Sequence, residues 1–146
     1  MKTDYKITFC KSELSQYNYI LKNEEIRSRI ADFLLKYVSI EAFYKKLLIA
    51  KKEQTNNKKL TEKEKKSLKV YTQEVMLVLK YFGIECDVDL IERIFGSNDK
   101  NYMDCSIKKL RDRMVHRVND KVLQVILERY ETINHDLNEF LNLFNV

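Results

Sequence analysis

Residues 33–48, FLLKYVSIEAFYKKLL, decide the fold class. Phe33, Leu34, Leu35, Tyr37, Val38, Ile40, Ala42, Phe43, Leu47 and Leu48 cover most of a helical circumference, which predicts a helix buried on several sides and central to the molecule. Asn23 is a suitable N-cap for it, because its side-chain oxygen accepts an orphan amide while Glu24 and Glu25 sit at the positive end of the dipole. The periodicity carries this helix to about Lys52.

Punctuation elsewhere agrees. The 146 residues include no Pro and only two Gly, Gly83 and Gly96, whereas sandwiches and barrels need many turn residues to reverse short strands. A chain of this length needs one core, and folding hides roughly two thirds of its unfolded surface. The expectation is a single domain over 1–146, all-α, a compact up-down bundle of about five helices.

Working outward, Leu14, Tyr17 and Ile20/Leu21 suggest a first helix from near Ser12 to Lys22. Residues 51–66, KKEQTNNKKLTEKEKK, are almost free of apolar side chains and read as a solvated loop. Thr61 with Glu64 fits a capping box that launches a helix through Leu68, Tyr71, Val75, Val78, Leu79 and Phe82, with Gly83 as its left-handed stop. Asp87–Phe95 is a short helix ended by Gly96, and a polar loop covers 97–101. Ile107, Leu110, Met114 and Val118 mark a further helix. Asn119 or Asp120 can cap a long amphipathic finale that runs to Phe144.

Lys and Arg outnumber Asp and Glu by 27 to 22, a net charge of +5 that favours approach of polyanions such as RNA. Cys10, Cys86 and Cys105 are odd in number, lack a C-x-x-C pair and accompany only two histidines, so they read as buried thiols rather than a disulfide framework or a zinc site. No apolar run approaches the roughly 18 residues of a membrane span, and residues 1–10 lack a signal-type apolar region, so a cytoplasmic location is expected.

Residues 109–117, KLRDRMVHR, concentrate three arginines, one carboxylate and one histidine. At about 100° per residue, Asp112 and His116 lie about 40° apart on one face, near enough for the carboxylate to orient the imidazole. Arg111 projects about 140° from His116 into the apolar stripe, an unusual place for a guanidinium unless a partner or a subunit boundary receives it.

Arg111, then the polar Asp112, a short spacer and His116, on a helix before a long terminal amphipathic helix, resemble the ribonuclease pattern of the HEPN family (higher eukaryotes and prokaryotes nucleotide-binding domain). The motif spans six residues, and the compatible helical architecture covers nearly the whole chain. What the resemblance implies is RNA cleavage without metal ion or cofactor, at a site that two copies of the motif share in a homodimer. His116 would transfer protons, Arg111 would hold phosphate oxygens and the charge of the transition state, and Asp112 would orient the imidazole. Met114 and Val115 are candidates for the dimer interface. The family likeness further implies a toxin or phage-defence effector restrained by an antitoxin protein.

Other residues admit two readings. Arg113 and Arg117 are RNA contacts or ordinary surface charges. Glu41, within the most apolar helix, pairs with Lys45 one turn on in the simpler reading, and in the other reaches across the bundle to orient Arg111 or His116. His135 has no Arg at the matching offset and reads as solvent-facing. Tyr37, Tyr44, Tyr71 and Tyr130 fall at helical spacing and read as core-edge residues. The alternative function is a catalytically inactive helical adaptor that binds a protein or nucleotide through the same cleft. A metalloenzyme finds no carboxylate cluster or Gly-rich phosphate loop in the sequence.

Overall fold

The computed structural model describes residues 22–97, 101–116 and 120–144, and among these all regular structure is helical. The helix read from residues 33–48 is α1, Glu24–Asn56. Asn23 caps it by accepting the Ile26 amide at 3.1 Å. The helix passes the expected end at Lys52 and stops where Asn57 adopts a left-handed conformation, φ 51°, its amide donating to the Glu53 carbonyl. The polar Thr55–Asn57 signal therefore does end a helix, but later than expected.

Burial on α1 is narrower than the sequence suggests. Ile30, Phe33, Tyr37, Ile40, Tyr44 and Leu48 recur every three or four residues and form one buried stripe. Leu35 and Val38 stand on the opposite side, 68% and 53% exposed, so the expectation of burial on several sides is corrected. Apolar side chains make up much of any folded surface, and their presence in a helix does not by itself bury them.

The capping box at Thr61 and Glu64 forms, yet it launches only a single turn, α2, Glu62–Lys66. Ser67 then donates its hydroxyl to the Glu64 carbonyl at 2.8 Å, a local bond that competes with helix continuation. Helix α3 starts afresh at Thr72–Tyr81 and buries Val75, Val78 and Leu79. A solvated loop over 51–66 and one helix from Thr61 to Phe82 are both replaced by a helix end, an isolated turn and a second start.

Gly83, φ 73°, closes α3 as expected: its amide reaches the Lys80 carbonyl at 3.0 Å and the Ile84 amide the Leu79 carbonyl at 2.9 Å, the two bonds of a Schellman motif. Asp87 caps α4, Val88–Phe95, by accepting the Asp89 amide. Gly96 ends α4 for a different reason from Gly83, because a Cβ there would lie 2.5 Å from the Glu92 carbonyl oxygen.

Helices α5, Ile107–His116, α6, Asp120–Glu128, and α7, Tyr130–Asn142, complete the described chain. The expected finale is thus two helices, divided at Arg129 (φ −92°, ψ 3°) although the amide ladder continues on both sides of it. Arg129 is held by a bond from its Nη1 to the Tyr102 carbonyl at 3.0 Å. Among the described residues there are seven helices, because two expected elements are each divided, one after the single turn that ends at Ser67 and one at Arg129. The expected first helix from Ser12 to Lys22, Cys10, and the caps at Asn119 or Asp120 rest on positions or side chains outside those described.

Helix α1 packs against α3, α5, α6 and α7, and is central as expected. Phe95, from the end of α4, sits in the aromatic core, its ring centroid 6.4 Å from Tyr37, 6.0 Å from Tyr44 and 5.5 Å from Phe140. Among the described residues no helix is long and apolar enough to cross a membrane.

Candidate functional site

Helix α5 is fixed at its start by Ser106, which is buried, donates its hydroxyl to the Gly96 carbonyl at 2.6 Å and accepts the Lys109 amide. Ile107, Leu110 and Met114 then face the core. With that stripe inward, a rotation of about 100° per residue brings Arg111 out on one flank of α5 and Arg113 and His116 on the other.

On the first flank, Arg111 meets α1. Its Nη2 lies 2.9 Å from Glu41 Oε2 and 3.1 Å from Asp112 Oδ1, and its Cζ stands 4.9 Å from the centroid of the Tyr37 ring. Glu41 also holds Lys45 Nζ at 3.4 Å. Both readings of Glu41 are therefore realised at once, the intrahelical pair and the reach across the bundle. Two carboxylates and two cations make a cluster near neutrality, and at 22% and 20% exposure Arg111 and Glu41 are largely removed from water.

Two polar atoms in this cluster are left over. The Tyr37 hydroxyl and Arg111 Nε are buried without a hydrogen-bond partner, although the hydroxyl lies beside both Glu41 and Arg111. Burial pushes the Tyr37 phenol far up, and the Glu41 carboxylate pushes the same way. Burial opposes the charge on Arg111, but Tyr37, Glu41 and Asp112 outweigh it and raise the guanidinium.

Asp112 does not take the place expected of it. Its carboxylate is bound to Arg111, and among the described residues no side-chain contact joins it to His116. The 40° spacing on the helix permits such a contact, but a permanent cation within reach attracts the carboxylate more strongly than an imidazole does. His116 is exposed at the last described position of α5. Val115 is 58% exposed, whereas Met114 belongs to the core at 7% and is not available as an interface residue.

On the second flank, the Arg113 Cζ stands 4.7 Å from the centroid of the Tyr102 ring, and the Lys121 Nζ from α6 stands 5.2 Å from the same centroid. Arg117 lies outside the described residues. Of the other tyrosines, Tyr37 and Tyr44 are fully buried rather than at the core edge, Tyr71 is exposed, and Tyr130 donates to Asp32 at 2.9 Å.

His135 faces solvent as expected, with ligand-capable atoms of His135, Asp136 and Glu139 all within 4.8 Å of one another. The grouping has little left to offer a cation, because both oxygens of the buried Asp136 accept from Arg93, at 3.0 and 3.2 Å. This cross-bundle pair went unread in the sequence; the available signal was an aspartate inside the Ile133, Leu137 and Phe140 stripe, where a carboxylate requires a partner. Cys105 is buried, as expected, but Cys86 is only half-buried. A cleft of about 420 Å³ is lined by Arg93, Cys105, Ser106 and Arg129 among others, and none of Arg111, Asp112 and His116 lines it.

Comparison with protein-family models, with curated proteins and with solved structures gives no match to this chain, so the functional reading rests on the geometry of α5 and its neighbours.

Proposed function

We propose that the chain is a metal-independent endoribonuclease of HEPN type whose active site forms where two copies meet. The observation that supports this reading is the division of the motif: Arg111 is anchored on one flank of α5 by Glu41, Asp112 and the Tyr37 ring, and His116 is exposed on the other. A single protomer splays its guanidinium and imidazole by about 140° and offers only one acid/base group. A second copy supplies the complement, so that the Arg111 fork of one protomer and the His116 of its partner face one phosphodiester.

The chemistry follows from what each group can do. Cleavage needs a base for the attacking 2′-hydroxyl, an acid for the departing 5′-oxygen and cations around the phosphorane. Two imidazoles serve as base and acid, one taking the proton of the 2′-hydroxyl and the other giving a proton to the departing 5′-oxygen. The guanidiniums bind the equatorial oxygens, and Glu41, with Lys45 beside it, holds the fork in place. In this reading Asp112 acts on Arg111 rather than on His116. Arg113 and Arg117 contact the strand outside the scissile bond. The cellular counterpart is a cytoplasmic toxin or phage-defence effector, with RNA as substrate, a second copy as obligate partner and an antitoxin protein as restraint.

One observation favours the second reading, a catalytically inactive adaptor that binds a protein or nucleotide: Arg111 Nη2 is already shared by two carboxylates. RNA cleavage in EDTA separates the two. The nuclease reading expects cleavage by the purified chain and its loss in His116→Ala and Arg111→Ala. An inactive wild type on diverse RNAs favours the adaptor, and undiminished cleavage by His116→Ala removes the mechanism.

A further inference from the structure

Helix α1 carries a second apolar line that nothing covers among the described residues. Ala31, Leu35, Val38 and Ala42 are all exposed and, at about 100° per residue, fall within about 60° of one another. On one side of this line α7 is tied to α1 by Lys36 with Asn134, by Asp32 with Tyr130 and by the rings of Phe43 and Phe144. On the other side α5 is tied to it by Arg111 and Glu41. The buried stripe of Phe33, Tyr37, Ile40 and Tyr44 faces the core, so the second line looks out between α5 and α7.

Its order points to what covers it. The spacings are 4, 3 and 4 residues and the sizes run small, large, large, small, so the line reads the same in both directions. A two-fold contact requires this, because residue i of one copy meets residue j of the other while j meets i. An antiparallel copy of α1 sets Ala31 opposite Ala42 and Leu35 opposite Val38, and the alanines let the two backbones approach closely at both ends of the patch. Alternation of 4 and 3 is also the spacing of helices that pack along their length.

Charge selects the same direction. Glu24 and Glu25 open α1, whereas Lys46 lies beyond the apolar line, exposed and with no carboxylate partner among the described residues. In the antiparallel register Lys46 falls roughly 3 to 5 Å along the axis from Glu24 and Glu25 of the partner subunit. Arg27 of the partner subunit, level with Lys46, projects to the opposite, α5 side of the line. A parallel copy would set Lys46 against Lys46.

We infer that the line Ala31, Leu35, Val38 and Ala42 is the surface through which two copies of this chain associate, antiparallel about a two-fold axis that passes between residues 36 and 37. That two copies act together rests on the ribonuclease reading; the choice of face rests on α1 alone. Glu41 borders the line and holds Arg111, so the guanidinium stands at the margin of the joined surfaces.

The test is sedimentation velocity of the full chain over a micromolar concentration series, with urea unfolding of each variant beside it. Wild type is expected to dimerise, and Leu35→Glu to raise the dimer dissociation constant at least about 100-fold, since the apolar side chain is lost from both copies. Leu77→Glu, at an exposed leucine on α3, is the control and is expected to stay within about twofold. Lys46→Glu is expected to weaken the dimer by roughly 3- to 10-fold, and Glu25→Lys added to it to restore the pairing. A double variant no better than Lys46→Glu overturns the antiparallel register. A monomeric wild type overturns the proposal, and loss of stability in its Leu35→Glu variant then identifies residues 1–21 of the same chain as the cover. A dimer unmoved by Leu35→Glu overturns the α1 face and leaves a shared ribonuclease site standing, whereas a dimer that Leu35→Glu dissociates but that never cuts RNA keeps the face and loses the nuclease.

Discussion

Arg111 and Glu41, 70 residues apart in the chain, meet at 2.9 Å across the contact between α5 and α1. The guanidinium is covered on one side by the Tyr37 ring and leaves its Nε without a partner, so Glu41 is a main support of a charge that is largely out of water. Removing one member of such a pair leaves the other's charge uncompensated.

Glu41→Ala is therefore expected to destabilise the fold by about 1–3 kcal/mol, below the full cost of a buried pair because each side chain keeps some exposure. Urea unfolding measures it. A cycle with Arg111→Ala should give a coupling of about 1–2 kcal/mol, and purely additive single losses would show that the two charges do not support each other.

The two core phenols govern the alkaline limit. Burial raises both Tyr37 and Tyr44 above their ordinary value, assisted by Glu41 and Glu74 respectively. A group whose folded pKa lies above its unfolded value gives stability that is complete below about pH 10 and is lost as the pH rises beyond it, because the unfolded chain releases the proton first. The slope is about 1.4 kcal/mol per pH unit per tyrosine. Urea midpoints at about pH 9 and about pH 11 should differ accordingly, and Tyr37→Phe should reduce the difference. Equal midpoints at the two pH values would refute the burial argument.

The two glycines should fail differently when substituted. Gly83→Ala places a side chain at φ 73°, with nothing near the new Cβ, and is expected to cost about 1 kcal/mol from backbone strain alone. Gly96→Ala drives its Cβ toward the Glu92 carbonyl oxygen and is expected to cost more, about 2–3 kcal/mol, because backbone must move at the junction that Ser106 anchors. Thermal unfolding of the two variants gives the order, and a Gly83→Ala loss exceeding that of Gly96→Ala would reverse the account.

The buried Asp136 gives a fourth case. Replacing it with Ala leaves Arg93 without its two-point partner, but Arg93 is 48% exposed and recovers water, so the expected loss is about 1–2 kcal/mol. A loss above about 4 kcal/mol would mean that the carboxylate supports more of the α4–α7 contact than this pair.

What could be read in advance divides along physical lines. The Asn23 cap, the Thr61–Glu64 box and the Gly83 stop are local bonds between residues a few positions apart, and the structure forms each one. How far each helix then runs was not legible: Ser67 bonding back to Glu64, and Arg129 held by Tyr102, are choices that depend on local competition or on residues distant in the chain. The same boundary divides the site. The odd placement of Arg111 followed from 3.6-residue periodicity, and Glu41 was named as a possible partner across the bundle. That Asp112 turns to Arg111 instead of His116, and that Tyr102 collects two cations, depend on three-dimensional neighbours that spacing along one helix does not specify.

The most direct measurement is RNA cleavage in EDTA by wild-type protein after subunit exchange with an equimolar amount of the inactive His116→Ala protein. If the imidazoles of both copies act on the same phosphodiester, mixed dimers are inactive and cleavage falls to about half that of the same amount of wild type alone. Cleavage undiminished by the exchange, with mixed dimers verified by mass, contradicts a site shared between protomers.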